Sequence, residues 1–182
     1  MIRIIAVLLM LCVVTHCCPS VVSRSQWGAR SVNCHSWIRK PVGYVIIHHS
    51  AGAFCNSPST CSSQVRNIQN YHIRSNKWCD IGYNFLIGED GRVYEGRGWH
   101  AVGVHARKYN PISYGICFIG TFTNRNPSIA AQNAAKSLIR CGVSRGFIRR
   151  NYNLKGHRDA NPTSCPGNTF YRTIKSWPQY RA

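Results

Sequence analysis

Ten cysteines in 182 residues constrain this chain more than any other feature. So many thiols belong to an oxidising compartment, where they pair into staples, and are rare in cytosolic enzymes. The length fits one domain with a sizeable buried core. Cys55 and Cys61 bracket a short loop rich in Ser, Asn and Pro, as a local bridge would. Spacing alone leaves the partners of the other cysteines open.

The N-terminus agrees with export. Arg3 precedes an apolar run from Ile4 to Val14 that is too short to span a membrane comfortably. Residues 1–17 therefore read as a secretory signal peptide, cut between Thr15 and Cys18, with 18–182 as the single mature domain. A signal anchor is the alternative. Cys12 leaves with the signal, and no later stretch is apolar enough to cross a membrane. The expected location is extracellular.

Charge narrows the partners. Lys and Arg total 23 against five Asp plus Glu, a formal net charge of +18. Such a surface seeks polyanions, and export favours anionic lipid or bacterial wall polymers over nucleic acid. The basic residues are scattered rather than gathered in an arm, so no nucleic-acid tail is indicated. The few acids also disfavour sugar-bond hydrolysis, which needs two facing carboxylates. Glu89 and Asp90 fall in Glu89-Asp90-Gly91, a hairpin-turn sequence.

The hydrophobic pattern predicts an α/β fold, a mixed central sheet flanked by about three helices. Val42 to His49 is apolar on both alternating faces, as a central buried strand is. Tyr83 to Gly88 and Arg92 to Glu95 form two strands around the Asp90-Gly91 turn, and Tyr114 to Gly120 is another buried strand. Ser62 to Arg74 reads as a helix, with Val65, Ile68, Tyr71 and His72 at three- and four-residue steps. A second helix opens at Pro127-Ser128 and stops near Gly142, and a third follows Pro166-Gly167.

Three clusters can carry chemistry. His48-His49-Ser50 ends the buried strand, and since neighbouring strand residues point to opposite faces, only one of the two histidines can aim at a given site. Gly156-His157-Arg158-Asp159 and Thr163-Ser164-Cys165-Pro166-Gly167 lie close together. Imidazole and thiolate are good zinc ligands, and three protein ligands leave a fourth position for water, the catalytic arrangement. The rival readings are a disulfide half for Cys165, or a cysteine nucleophile with His157 as its base. Asp159 is a candidate partner for Arg158 or acceptor for His157.

Five motifs together resemble the peptidoglycan recognition proteins, especially their short secreted members. They are Val45-Ile46-Ile47-His48-His49-Ser50-Ala51-Gly52, the run from Trp78 to Gly88, Val93-Tyr94-Glu95-Gly96-Arg97-Gly98-Trp99, Gly156-His157-Arg158-Asp159 and Cys165-Pro166-Gly167. The resemblance spans the whole chain after the signal and implies the mixed-sheet fold of phage-type zinc amidases. It implies Zn2+ held by His48, His157 and Cys165, and hydrolysis of the N-acetylmuramoyl-L-alanine amide of bacterial peptidoglycan. Tyr83 would orient water and the scissile carbonyl, and Thr163 would donate to the oxyanion, pointing with Cys165 if that segment is extended. Non-catalytic members often lose the cysteine or the first histidine; this chain keeps both. The alternative is a binding-only receptor or cationic antibacterial protein.

The same resemblance implies the bridges Cys18–Cys141, Cys34–Cys79 and Cys55–Cys61, leaving Cys117 and Cys165 free, with Cys17 if the cut retains it. Tyr83, His105, His72 and Trp99 are the candidate substrate contacts, and Trp99 and Tyr94 are aromatics that can stack on sugar or peptide. His72, on an apolar helix face, and Trp99 also suit core packing, as does Tyr94. Positions just after Gly98-Trp99 would read the third stem residue, and His100 and Ala101 match neither the lysine nor the diaminopimelate pattern.

Overall fold

Strand β2, Val42–His49, runs through the middle of the molecule with five of its last five residues buried. It pairs in parallel with β5, Ser113–Phe118, on one side and with β6, Ile148–Gly156, on the other. A strand flanked on both edges and covered on both faces must be apolar throughout, which Val45-Ile46-Ile47 satisfies. The computed structural model describes residues 18–182, so the expected signal peptide lies outside the described residues.

Two further strands extend the sheet past β5. These are β3, Phe85–Ile87, parallel to β5, and β4, Val93–Glu95, antiparallel to β3. The β3–β4 connection is the expected hairpin: Gly91 sits at φ 75°, and Asp90 accepts from the Arg92 N–H. A short β1, Val21–Val22, closes the far edge, giving the order β1-β4-β3-β5-β2-β6. The sheet is mixed and flanked by helices, as the pattern predicted.

Helix α1, Arg24–Trp27, is one turn. Helix α2, Pro58–Arg74, covers one face of the sheet. It starts four residues earlier than expected because Ser57 caps it, accepting from the Thr60 N–H, and Pro58 occupies the first turn, where no N–H is needed. Helix α3, Ile129–Ser144, covers the other face with Ala131, Ala135, Leu138 and Ile139. The short α4, His157–Ala160, and α5, Asn168–Ile174, follow β6.

The pleat divides the core in two. Val45, Ile47, Phe85, Ile116 and Phe118 meet α3 and the α5 residues Phe170 and Ile174. Leu86, Tyr94 and Cys117 meet Trp27, Val65 and the Cys55–Cys61 bridge. Among the described residues Cys18–Cys141 and Cys34–Cys79 are the other two bridges, and Cys117 and Cys165 are unpaired. Among the described residues no helix is long and apolar enough to cross a membrane.

Candidate metal centre

The register of β2 against β6 builds the site. Ile47 lies opposite Gly156, so the next residues, His48 and His157, emerge side by side at the ends of neighbouring parallel strands. Their ring centroids are 4.4 Å apart. The chain then turns through α4 and returns, and Arg158 N–H donates to the Cys165 carbonyl at 3.0 Å, closing the loop. This return carries the Cys165 sulfur to 3.9 Å from His48 Nδ1.

One donor atom from each of His48, His157 and Cys165 lies within 4.8 Å of the others. Zinc bonds of about 2.0–2.3 Å place tetrahedral donors roughly 3.5 Å apart, so a small contraction completes the set. The donor chemistry also fits. Burial pushes the Cys165 thiol up to about 12, and the His49 N–H, donating to the sulfur at 3.2 Å, offsets this only in part. A bound cation would favour the thiolate. Without one the thiol stays protonated, which disfavours the cysteine-nucleophile reading.

His49 faces away from His48, as strand alternation requires, and its Nδ1 accepts from the Phe122 N–H at 3.3 Å. His48 Nε2 lies 3.0 Å from Nδ1 of the buried His105. The His105 ring fills a slot that exists because residues 103 and 115 are glycines; a Cβ at either would collide with it. Burial holds His48 well below the ordinary imidazole range, and His105 at about 3, so both stay neutral at physiological pH.

Tyr83 packs against His48, with ring centroids 5.2 Å apart. Burial and then the Cys117 and Cys165 thiols push its phenol well above the usual value, so it remains an O–H donor. Thr163 lies in a bend rather than an extended segment: it is exposed while Cys165 is buried. Its Oγ1 accepts from the Cys165 N–H at 3.2 Å, which leaves its own O–H free to donate. Thr163, His157 and His105 line a cleft of ≈ 440 Å³ with Trp78, Arg107 and Asn110.

Residues 38–168 match the N-acetylmuramoyl-L-alanine amidase family model. Mouse peptidoglycan recognition protein 1 is 53% identical over 165 residues, covering 90% of this chain and 91% of its own. The chain belongs to the peptidoglycan recognition protein family. The solved human PGRP-IBETAC in complex with glycosamyl muramyl pentapeptide is 45% identical, at TM-score 0.88 over 91% of this chain and 100% of that one. A Drosophila PGRP-LB mutant in complex with tracheal cytotoxin is 42% identical, at TM-score 0.87 over 89% and 96%.

In this peptidoglycan recognition protein the two candidate stacking aromatics, Trp99 and Tyr94, occupy packing roles. The Trp99 ring is partly buried and packs against the core on the α3 side, its centroid 4.4 Å from that of Phe85, 4.9 Å from Tyr114 and 5.0 Å from Phe147. Tyr94 is fully buried, its hydroxyl donating to Asp90. Asp159 serves neither of its expected partners: it accepts from the Gly156 N–H at 2.8 Å and the Tyr171 hydroxyl at 2.6 Å. A carboxylate at the first turn of α4 is better used on a free N–H than on a neighbouring side chain. Ala101 is buried and His100 exposed.

The reading of single residues passed over Trp78, Arg107 and Asn110. Asn110 accepts from the His105 and Ala106 N–H groups at 2.9 and 2.7 Å, fixing the loop that carries His105. The Asn110-Pro111 dipeptide, a turn signal, was the available clue.

His72 sits behind Tyr83, its ring centroid 4.7 Å from that of Trp78, and its Nδ1 accepts from the Gly82 N–H at 3.0 Å. Burial lowers its pKa to about 4, against 6.5 in an unfolded chain. The unfolded state therefore binds the extra proton first as pH falls, and stability is lost below about pH 6.5. Each such group costs about 1.4 kcal/mol per pH unit once the unfolded imidazole is charged and the folded one is not. Urea midpoints of metal-free protein should drop between pH 7.5 and 5, and His72→Gln, which keeps an acceptor, should flatten that slope. An unchanged slope would mean that His72 is not held neutral.

Proposed function

We propose that this protein is an exported, zinc-dependent N-acetylmuramoyl-L-alanine amidase that binds bacterial peptidoglycan and cuts the stem peptide from the sugar. The observation that carries the reading is the grouping of His48, His157 and Cys165, with Tyr83 packed on His48 and with His157 and Thr163 lining one cleft. The three disulfides support export. Relatives solved with muramyl peptide and tracheal cytotoxin support peptidoglycan as the ligand, and the basic surface suits other anionic wall polymers as well.

His48, His157 and Cys165 would hold the metal. Bound there, zinc supplies Lewis-acid polarisation and an acidified water at neutral pH. With His48 Nδ1 turned toward the cluster, its proton sits on Nε2 and is donated to His105 Nδ1, which fixes the ring's tautomer and orientation. Tyr83 stays protonated and donates to the oxygen that gains charge as the amide carbonyl becomes tetrahedral. Thr163 offers a second O–H to the same oxygen from the cleft rim.

Tyr83→Phe should keep its full zinc content while slowing hydrolysis by about 10²–10³-fold, the usual cost of one oxyanion donor. Unimpaired turnover would remove Tyr83 from the chemistry. The reading as a whole is tested by digesting purified peptidoglycan before and after chelation, then with zinc restored. Free stem peptides beginning with L-alanine should appear, vanish and reappear. Stems cut between amino acids, or cleavage indifferent to chelation, would reject it.

A further inference from the structure

The three parallel strands have a second end. His48 and His157 lie at the C-terminal ends of β2 and β6, whereas Val42 begins β2, Ile112 immediately precedes β5, and Arg149 is the second residue of β6. Six residue steps along β2 separate Val42 from His48 by about 20 Å. A surface cleft of ≈ 790 Å³ opens at this N-terminal end.

The composition of that end is unusual for a solvated surface. Trp37 is 80% exposed and Ile112 45% exposed, both lining the cleft with Arg39, Lys40 and Arg149. Trp37 is exposed yet firmly placed. It bridges Ala101, Ile38 N–H donates to the His100 carbonyl at 2.9 Å, and Val102 N–H donates to the Ser36 carbonyl at 2.8 Å. Lys40 lies 3.1 Å from His100 Nδ1, with its ammonium 5.0 Å from the centre of the Phe147 ring. An indole presented this way loses little freedom on docking.

The charge around it is left unbalanced. Each of the five acids has an internal partner elsewhere. Asp80 holds Arg24 and His35, Glu89 holds Arg125, Asp90 takes the Tyr94 hydroxyl, Glu95 accepts from the Arg24 N–H, and Asp159 takes Tyr171. Among the described residues none of them lines this cleft. Protruding tryptophan and isoleucine ringed by cations without an acidic partner among the described residues match the headgroup region of an anionic bilayer, where the indole sits at the boundary and cations meet acidic headgroups.

We infer that the N-terminal end of the parallel strands docks on a membrane surface rich in anionic lipid. Docking there leaves the metal-binding end of the sheet directed away from the bilayer. The inference does not depend on amidase activity and fails or stands separately from it.

The test is co-sedimentation with vesicles of phosphatidylcholine, with and without phosphatidylglycerol. The protein should bind the mixed vesicles, and brominated lipid should quench tryptophan fluorescence. Trp37→Ser and Ile112→Ser should each weaken vesicle binding about tenfold while pull-down on insoluble peptidoglycan is unchanged. Removing two exposed charges near the other end, by Arg172→Ser with Lys175→Ser, should have a smaller effect. Equal binding to neutral vesicles, native-like binding by Trp37→Ser, or an equal loss from the α5 charge pair would each overturn the inference. Parallel loss of peptidoglycan binding in Trp37→Ser would assign the patch to the wall-binding groove instead.

Discussion

Cys165→Ser should strip the protein of zinc and end hydrolysis, while the variant still sediments with insoluble peptidoglycan. The substitution leaves two imidazoles and a hydroxyl that coordinates poorly, so zinc affinity should fall by more than about 100-fold. Binding should persist because Trp78, Val104, Asn110 and Pro162, which line the cleft, are placed by the sheet and its loops. The fold should persist too: all three disulfides remain, and serine can still accept from the His49 N–H that now meets the sulfur. Bound zinc, product release and pull-down are to be measured on one preparation. Cleavage that survives the loss of zinc would refute the mechanism. Cleavage lost with zinc fully retained would make the thiol a nucleophile.

Asp80→Ala should destabilise the fold by about 3–5 kcal/mol, the usual result of removing one member of a buried charged network. Asp80 is fully buried and takes Arg24 at 2.9 Å, His35 Nε2 at 2.9 Å and Gln69 Nε2 at 2.7 Å. Gln69 in turn accepts from the Arg30 N–H, so a single carboxylate ties the N-terminal segment to α2. Deleting it strands a guanidinium and an amide together. Asp80→Asn keeps the shape and one acceptor, and should lose less. Urea unfolding at pH 7 measures both, and a loss below about 1 kcal/mol for Asp80→Ala would mean that water replaces the carboxylate freely.

The elements most legible in the sequence were those with a strong apolar period. β2, α2 and α3 were each readable from their own residues, because their burial is one-sided or complete. β6 was not: Arg149, Arg150 and Asn151 interrupt its pattern, and as an edge strand it needs little apolar surface there. The site divides in the same way. Its ligand types were visible, but spacing could not bring His48 to His157, since that depends on pairing Ile47 with Gly156. Family resemblance filled that gap. Local reading misjudged Asp159, whose nearest sequence neighbours are not its partners. Trp99 shows the converse limit, since an aromatic beside a conspicuous motif looks the same whether it meets ligand or core.

Cys18 and Cys141 are 123 residues apart in sequence, and His48 and Cys165 are 117 apart. The two spans overlap for most of their length. With metal bound, the chain is therefore laced twice, once covalently and once by coordination. Each lace closes a loop of more than 100 residues, but they act on different states: the disulfide restrains the unfolded chain, whereas coordination would hold the folded one. A coordinate lace would be reversible and would respond to metal supply. Without metal, Cys18–Cys141 would be the one of these two laces that remains, joining the C-terminal third to the start of the domain alongside the β2–β6 pairing.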